Sequence, residues 1–235
     1  MNFKNIVVYD WETDSPKPET CNPVQLGAVV INPRKLEFIK GAEFNSDMRP
    51  LDIDDDDYFD RNKSTIEWHS RISKCSTDEV IARWKAAPSQ ESVWRSFTQW
   101  LSKYHLKQSR QSKFTAPIRA GYNILKFDDV ITQRMAEKYG DVEKDGTIKI
   151  WSPRDHIDLL PMMFWWFENQ ENPQKYTMDV MRPYFGVSAE KAHDALKDVY
   201  DEGQILIKCL QTQRWLTDKL LTQGKLGPKS GKVQV

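Results

Sequence analysis

The sequence predicts an α/β domain in which a mixed central β-sheet is flanked by helices. The apolar segments follow the order strands, helices, strand, then helices, which is typical of a layered domain with one core. The chain of 235 residues, 39% of them hydrophobic and 29% charged, is long enough for one large core and is unlike a disordered chain. We therefore expect one folded domain over residues 1–221 and a flexible basic tail at 222–235.

Three strands are predicted in the N-terminal region. Residues 6–9 and 25–31 are short runs rich in β-branched side chains, and residues 36–44 loosely alternate between apolar and polar. Prolines and an Asn-Pro pair between these runs are typical turn signals. The pattern therefore predicts a meander of three strands at the start of the domain.

A helical insert is predicted at about residues 60–110, after an acidic run. The run at 52–60 contains six aspartates, but it lacks the glycine and the closing glutamate of an EF-hand loop, so we expect a solvated loop. Ser76 or Thr77, followed by Glu79, is typical of the capping box that begins a helix. A second helix is indicated by apolar side chains at helical spacing: Val93, Phe97, Trp100, Leu101 and Tyr104.

The C-terminal half is predicted to continue with one strand and several helices. A short strand and turn end near Gly121, a helix covers 128–139, and a strand end or helix start leads into an apolar helix at 156–167. Two further helices are predicted at 177–185 and 193–213. Tryptophans that fall on helical stripes are expected in the core: Trp94, Trp100, Trp165 and Trp166.

Two acidic residues project from the end of the first predicted strand. Asp10 and Glu12 are two positions apart and therefore point to the same face of a strand. Adjacent buried carboxylates are costly unless a positive charge lies between them, and a divalent cation meets that need. On its own this pair is weak evidence, because an exposed strand end also carries paired acids.

Two later motifs contain the remaining candidate residues. Asp128 stands where a helix is predicted to begin, and an acid at that position is also explained by the helix dipole alone. His193 and Asp198 stand at the beginning of the last predicted helix, where a single histidine is most often structural. Each motif leaves a structural explanation open, and only their combination is specific.

Taken in order, the three motifs resemble those of the DEDDh branch of the DnaQ-like exonucleases. This family carries Asp-x-Glu in an N-terminal strand, Asn-x-x-x-Phe-Asp in the middle and His-x-x-x-x-Asp near the C-terminus, and the corresponding segments here are YDWET, YNILKFDD and AHDALKDV. The last two look particularly like the exonuclease domain of bacterial exonuclease I. The resemblance extends over roughly residues 5–212, although residues 45–115 match that group poorly. It implies an RNase H-like exonuclease fold.

The resemblance implies a metal site and a general base. Asp10, Glu12, Asp128 and Asp198 would hold two Mg²⁺ ions, for which Mn²⁺ can substitute, and carboxylate oxygens suit such hard cations. His193 would accept a proton from the attacking water. In the metal-free protein we expect raised carboxylate pKa values, because the acids would repel one another.

The resemblance also implies a nucleic-acid substrate bound at its 3′ end. The residues expected near the terminal nucleotide are Trp11, Thr13, Tyr122, Asn123 and Phe127. Residues 92–127 contain seven cations and no acid, which favours contact with phosphates, although an ordinary solvated face has the same composition. The implied function is a 3′→5′ exonuclease that releases nucleoside 5′-monophosphates from single-stranded DNA. Two alternatives stay open, an exoribonuclease and a non-catalytic nucleic-acid-binding or polymerase-accessory module.

Composition and cysteine usage show which other classes of protein the sequence does not resemble. With 34 basic and 34 acidic residues, the chain has no net charge that would attract nucleic acid as a whole. Its longest apolar run, nine residues at 159–167, is shorter than the about 20 residues of a membrane span, so no membrane is expected. Three widely spaced cysteines favour neither a zinc ribbon nor a disulfide framework. We expect a cytoplasmic protein, or one of a host-cell cytoplasm if the source is viral, and no protein partner is identified.

Overall fold

The computed structural model describes residues 3–188 and 194–227. At its centre is a five-stranded sheet with the strand order β3-β2-β1-β4-β5. The strands are β1 (Ile6–Thr13), β2 (Pro23–Asn32), β3 (Glu37–Asp47), β4 (Ile118–Gly121) and β5 (His156–Asp158). The β1–β2 and β2–β3 pairs are antiparallel, whereas β1–β4 and β4–β5 are parallel. The predicted α/β class with a mixed sheet is confirmed.

The predicted N-terminal meander is also confirmed, and β1 lies at the centre of the sheet. Val7 and Tyr9 pack into the core on one face, and Ile6 and Val8 pack into the core on the other. Because helices cover both faces, β1 is apolar at successive positions rather than at alternate ones. The strand becomes polar only at Asp10, where it reaches the edge of the core.

Three helices follow the meander: α1 (Tyr58–Ser73), α2 (Thr77–Ala86) and α3 (Gln90–Ser102). The capping box that begins α2 is confirmed, since Ser76 and Glu79 each accept a hydrogen bond from the other's backbone N–H. The apolar stripe of α3 is buried as predicted, and Tyr104 lies just beyond the end of this helix. The acidic run is a loop only as far as Asp57, because residues 58–60 form the first turn of α1, and aspartates of the loop form ion pairs with Arg49 and Arg61.

The C-terminal half contains the predicted helices. They are α4 (Asp128–Tyr139), α5 (Leu159–Phe167), α6 (Met178–Tyr184) and α7 (Ala195–Thr222). Gly140 ends α4 in the left-handed conformation at φ 85°, which a glycine adopts without strain. The observed α7 extends nine residues beyond the predicted end at residue 213.

The prediction for the four tryptophans is half right. Trp94 and Trp100 are buried, but Trp165 and Trp166 are 72% and 38% exposed, so their assignment to the core was wrong. The helix α5 is apolar on nearly every side, and only Leu159 and Met163 on its inner face are fully buried. A helix buries only the face that packs on the sheet, so the other apolar side chains of α5 point outward.

A close approach between β2 and α7 places the last helix against the sheet. Gly27 pairs with Asp10 across the β1–β2 ladder. A Cβ atom at Gly27 would lie 2.4 Å from the backbone oxygen of Ala195, so only glycine allows α7 to begin at this point. This contact brings the first turn of α7 beside the end of β1.

The cysteines, the helices and the C-terminal tail can each be compared with the expectations from the sequence. Cys21, Cys75 and Cys209 are all free thiols. Among the helices that the structure describes, none combines the length and the apolar composition that crossing a bilayer requires. The predicted basic tail begins where α7 ends, and residues 228–235 lie outside the described part of the chain.

Candidate active site

Three carboxylates from two distant parts of the chain converge at the edge of the sheet. Asp10 and Glu12 come from the end of β1, and Asp198 comes from the first turn of α7. Each offers one oxygen, and these three oxygens lie within 4.8 Å of one another. Asp10 and Glu12 therefore lie on the same face of β1, as predicted, and Asp198 of α7 lies beside them.

Asp128 adjoins this trio from the start of α4. Its Oδ1 atom accepts a hydrogen bond of 2.9 Å from the backbone N–H of Trp11, the residue between the two β1 acids. Asp158 holds the loop that leads to Asp128, because its two oxygens accept hydrogen bonds from the backbone N–H groups of Asn123 and Leu125. The four predicted metal ligands thus lie around the end of β1, although Asp128 is outside the tight trio.

A buried arginine, which the sequence analysis did not single out, holds Asp198 in place. Arg182 on α6 is 1% exposed, and each of its guanidinium nitrogens donates to a carboxylate. Its Nη2 atom donates to Asp198, its Nε atom to Asp201 at 3.0 Å, and its Nη1 atom to Asp179 at 2.6 Å. A buried guanidinium requires such partners. No local sequence pattern predicts this contact, because Asp198 and Arg182 are 16 residues apart on different helices.

A fifth carboxylate, Glu202, also lies at the site and was missed. It belongs to α7, four residues after Asp198, and it is 3% exposed. Residues four apart share one face of a helix, so the helical spacing was a signal that could have identified it. Glu202 lines the same cavity of about 300 Å³ as Asp10, Glu12, Asp198 and Arg182, which we call the carboxylate cavity.

The site raises the pKa values of three of its four predicted ligands and of Glu202. Burial and, after it, the Asp198 charge raise the pKa of Asp10 to about 7, against a smaller opposing effect of Arg182. Burial is also the largest cause of the raised pKa of Glu12, of Asp128 and of Glu202, and the neighbouring carboxylates add to it. Desolvation, more than the mutual repulsion that we expected, therefore dominates the shifts.

The donor set fits a hard divalent cation. All the converging atoms are carboxylate oxygens, which is the ligand type of Mg²⁺ and Mn²⁺ rather than of metals that prefer sulfur. A buried oxygen of Glu202 without a hydrogen-bond partner among the described residues is a second observation that fits a positively charged group at this site. A cation would thus stabilise charges that the protein alone leaves close together.

A second cavity of about 400 Å³ continues from the first, and we call it the aromatic groove. Trp11, Glu12 and Trp68 line both cavities, so the two form one continuous surface. Of the residues predicted to contact substrate, Trp11, Thr13 and Phe127 line this groove. Trp68 comes from α1, so part of the groove wall is built by the helical segment that precedes α4.

Trp11, Tyr122 and Asn123 differ from Thr13 and Phe127 in what they can offer a substrate. The indole of Trp11 is 3% exposed and donates to Thr132 at 2.9 Å, so its ring offers almost no surface to a base. Tyr122 lines the carboxylate cavity and donates its hydroxyl to the backbone oxygen of Tyr176. Asn123 adopts φ 62° in the loop that Asp158 holds, and it lines neither cavity.

The structure leaves one predicted catalytic residue without a position. His193 lies outside the described residues, so its role as a general base stays a prediction. Among the seven cations of residues 92–127, three have acidic partners: Arg95 with Glu91, Lys113 with Asp145 and Arg119 with Asp129. The segment is therefore partly neutralised and is less basic than its sequence indicates.

Comparisons with known proteins identify structural relatives only. No protein-family model matches the sequence, and no curated protein matches it. Among solved structures, E. coli exonuclease I in complex with a dT13 oligonucleotide is 18% identical with a TM-score of 0.63, covering 93% of this chain and 44% of that chain. The zinc-bound form of the E. coli exonuclease I–ssDNA complex gives 17% identity and a TM-score of 0.64, over 93% and 43% of the two chains. Exonuclease I from Methylocaldum szegediense gives 14% identity and a TM-score of 0.63, over 93% and 43%.

These similarities establish the fold. The chain has the RNase H-like exonuclease fold that the resemblance implied, and the match covers nearly all of it. The chain spans less than half the length of these structural relatives. At such low identity, what the relatives bind or cleave is not thereby transferred to this chain.

Proposed function

We propose that this chain is a metal-dependent 3′→5′ exonuclease that hydrolyses single-stranded DNA from its 3′ end and releases nucleoside 5′-monophosphates. The observation that carries the proposal is the convergence of Asp10, Glu12 and Asp198 within 4.8 Å, beside Asp128, on this fold. Two Mg²⁺ ions, for which Mn²⁺ can substitute, would supply positive charge at the attacking and leaving oxygens of the phosphodiester.

The residues of the chain divide the remaining tasks. Asp10, Glu12, Asp128 and Asp198 hold the cations, and Arg182 fixes one oxygen of Asp198 so that this carboxylate keeps a single orientation. His193 accepts the proton of the attacking water, for which an imidazole with a pKa near neutrality is suited.

The aromatic groove receives the terminal nucleoside beside the cleaved bond. Its volume of about 400 Å³ is in the usual range of small-ligand sites, roughly 300–1,000 Å³. Phe127 and Trp68 provide ring surface in the groove, and base–aromatic stacking tolerates any sequence. This arrangement suits an enzyme that removes successive nucleotides without reading their bases.

Single-stranded DNA is favoured over RNA as the substrate. E. coli exonuclease I, a relative in fold, is described in complex with single-stranded DNA. Selection of RNA requires a contact to the 2′-hydroxyl group, and the side chains of the groove do not by themselves specify one. An exoribonuclease is therefore the second candidate. A non-catalytic binding or polymerase-accessory module is disfavoured, because all four acids and His193 are retained in the sequence.

The test is a gel assay with matched 5′-labelled single strands of DNA and RNA. The chain is incubated with Mg²⁺, with EDTA, and as the Asp10→Ala variant. Asp10 is preferred to Asp198 for the substitution, because removing Asp198 would also deprive buried Arg182 of a partner. We expect a ladder that shortens from the 3′ end of DNA, requires Mg²⁺ and is lost with Asp10→Ala. Faster cleavage of RNA would favour the exoribonuclease, and binding without cleavage would favour the accessory module.

A further inference from the structure

Glu202 is a buried acid that the proposed four-carboxylate site does not use. It lies one helical turn after Asp198 on α7 and lines the carboxylate cavity together with Asp10, Glu12 and Asp198. Its side chain is 3% exposed. The position therefore faces the candidate metal centre rather than solvent.

One oxygen of Glu202 has no hydrogen-bond partner in the part of the chain that the structure describes. Its Oε2 atom is buried and accepts no hydrogen bond from the residues that the structure describes. The neighbouring acid of α7 contrasts with it, since both oxygens of buried Asp201 are bound, one by Arg182 and one by Lys197. Leaving a buried polar atom unpaired costs about 1–3 kcal/mol, and more when the group is charged. A purely structural acid would be expected to have a partner, as Asp201 does.

The backbone beside Glu202 leaves room for this oxygen. A Cβ atom at Gly121, the last residue of β4, would lie 3.3 Å from Glu202 Oε2 and 2.4 Å from a methyl group of Ile124. A glycine at this strand end thus lets the carboxylate approach the loop that leads to Asp128. The Glu202 oxygen consequently lies beside Gly121 at the end of β4, and Glu202 lines the cavity that the acids of β1 and α7 also line.

We propose that Glu202 is a fifth carboxylate of the metal centre, a positioning residue whose Oε2 atom accepts hydrogen bonds from water retained by a divalent cation bound at Asp10, Glu12 and Asp198. It is outside the trio whose oxygens lie within 4.8 Å of one another, which argues for contact through water rather than direct ligation. Mg²⁺ keeps several of its waters when it binds to proteins, so such a site needs acceptors beyond the direct ligands. This inference rests on the proposed function, because it takes the trio to bind the metal.

The test measures metal binding directly, without any substrate. The wild-type chain, Glu202→Gln and Asp218→Asn are titrated with Mn²⁺ by calorimetry, and thermal unfolding confirms that each is folded. Asp218 is the matched control, because it is an exposed acid on the same helix far from the site. Residues that support metal ligands typically contribute about 10–100-fold to affinity, so we expect a loss of this size for Glu202→Gln and none for Asp218→Asn.

The outcomes separate this inference from the proposed function. Unchanged Mn²⁺ affinity in folded Glu202→Gln, with normal binding by the wild type, would overturn the role of Glu202 alone. Failure of the wild type to bind Mn²⁺ would overturn both. If Glu202→Gln does not fold, Glu202→Asp replaces it, since it keeps the charge but shortens the side chain. Weaker Mn²⁺ binding by that variant would support the role, and unchanged binding would contradict it.

Discussion

The backbone N–H of Trp11 donates to Oδ1 of Asp128 at 2.9 Å, and this bond joins two motifs that are 117 residues apart. The indole of Trp11 extends the connection, because its Nε1 atom donates to Thr132 one turn further along α4. Trp11 thus fastens the start of α4 to the end of β1 through both its backbone and its side chain. The residue between the two β1 acids therefore sets the position of Asp128.

The stability of the metal-free protein should decrease as the pH rises towards neutrality. The pKa of Asp10 is raised to about 7, so the folded state binds more protons than the unfolded state between about pH 4 and pH 7. Raising the pH through this range therefore removes stability. We expect the Tm of the EDTA-treated chain to fall between about pH 4 and pH 7. Acids with lowered pKa values, such as Asp54 and Asp155, exert their effect only at lower pH.

Divalent metal should reverse this trend. Metal binding requires deprotonated ligands, so Mg²⁺ should raise the Tm more at about pH 8 than at about pH 6. The Asp10→Asn variant is the control, because it removes the acid whose pKa is raised to about 7. An increase in Tm that is the same at both pH values would contradict the proposed link between the metal and these acids.

Arg182 should be far more important for stability than an exposed arginine in an ion pair. Replacing it by Gln leaves buried Asp201 and Asp198 without their guanidinium partner, and breaking a buried pair typically costs about 3–5 kcal/mol. We expect a loss of that size in the free energy of unfolding, measured by urea denaturation. The control is Arg95→Gln, whose exposed pair with Glu91 should contribute less than about 1 kcal/mol. Equal losses for the two variants would show that the Arg182 network is not a structural anchor.

His193 should affect the chemical step rather than binding. Loss of a general base typically slows proton transfer by about 10²–10⁴-fold, so His193→Ala should reduce the single-turnover rate by that factor. The Kd for a single-stranded oligonucleotide, measured in Ca²⁺ to suppress cleavage, should stay close to that of the wild type. A large loss of affinity with an unchanged single-turnover rate would contradict the role.

The parts of the fold that could be predicted are those with a strong local pattern. The β-rich runs gave the three N-terminal strands, and the Ser76–Glu79 capping box gave the start of α2. The ligand set was predicted from the family resemblance. The spacing within the first motif supported it, because residues two positions apart on a strand point to the same face.

The remaining features depend on contacts between distant segments, which local patterns do not contain. Trp165 and Trp94 both fall on helical stripes, yet only Trp94 is buried, because burial depends on which face meets the sheet. The bond between Arg182 and Asp198 follows from the packing of α6 on α7. Glu202 is an intermediate case. Its helical spacing from Asp198 is visible in the sequence, but the lack of a hydrogen-bond partner for its buried oxygen among the described residues is not.

Trp68 should contribute to substrate binding, because it lies where the carboxylate cavity meets the aromatic groove. Stacking of one base on an aromatic ring typically contributes about 1–3 kcal/mol to binding. Trp68→Ala should therefore raise KM for single-stranded DNA by the factor that corresponds to this loss of binding free energy. The value of kcat should change little, since no metal ligand is altered. Trp68→Phe should retain most of the affinity, because it keeps a ring in the groove. The control is Trp165→Ala, an exposed tryptophan on α5 that lines neither of these cavities. A fall in kcat with an unchanged KM would instead mean that Trp68 supports the fold of α1 near the acids, and not the nucleotide.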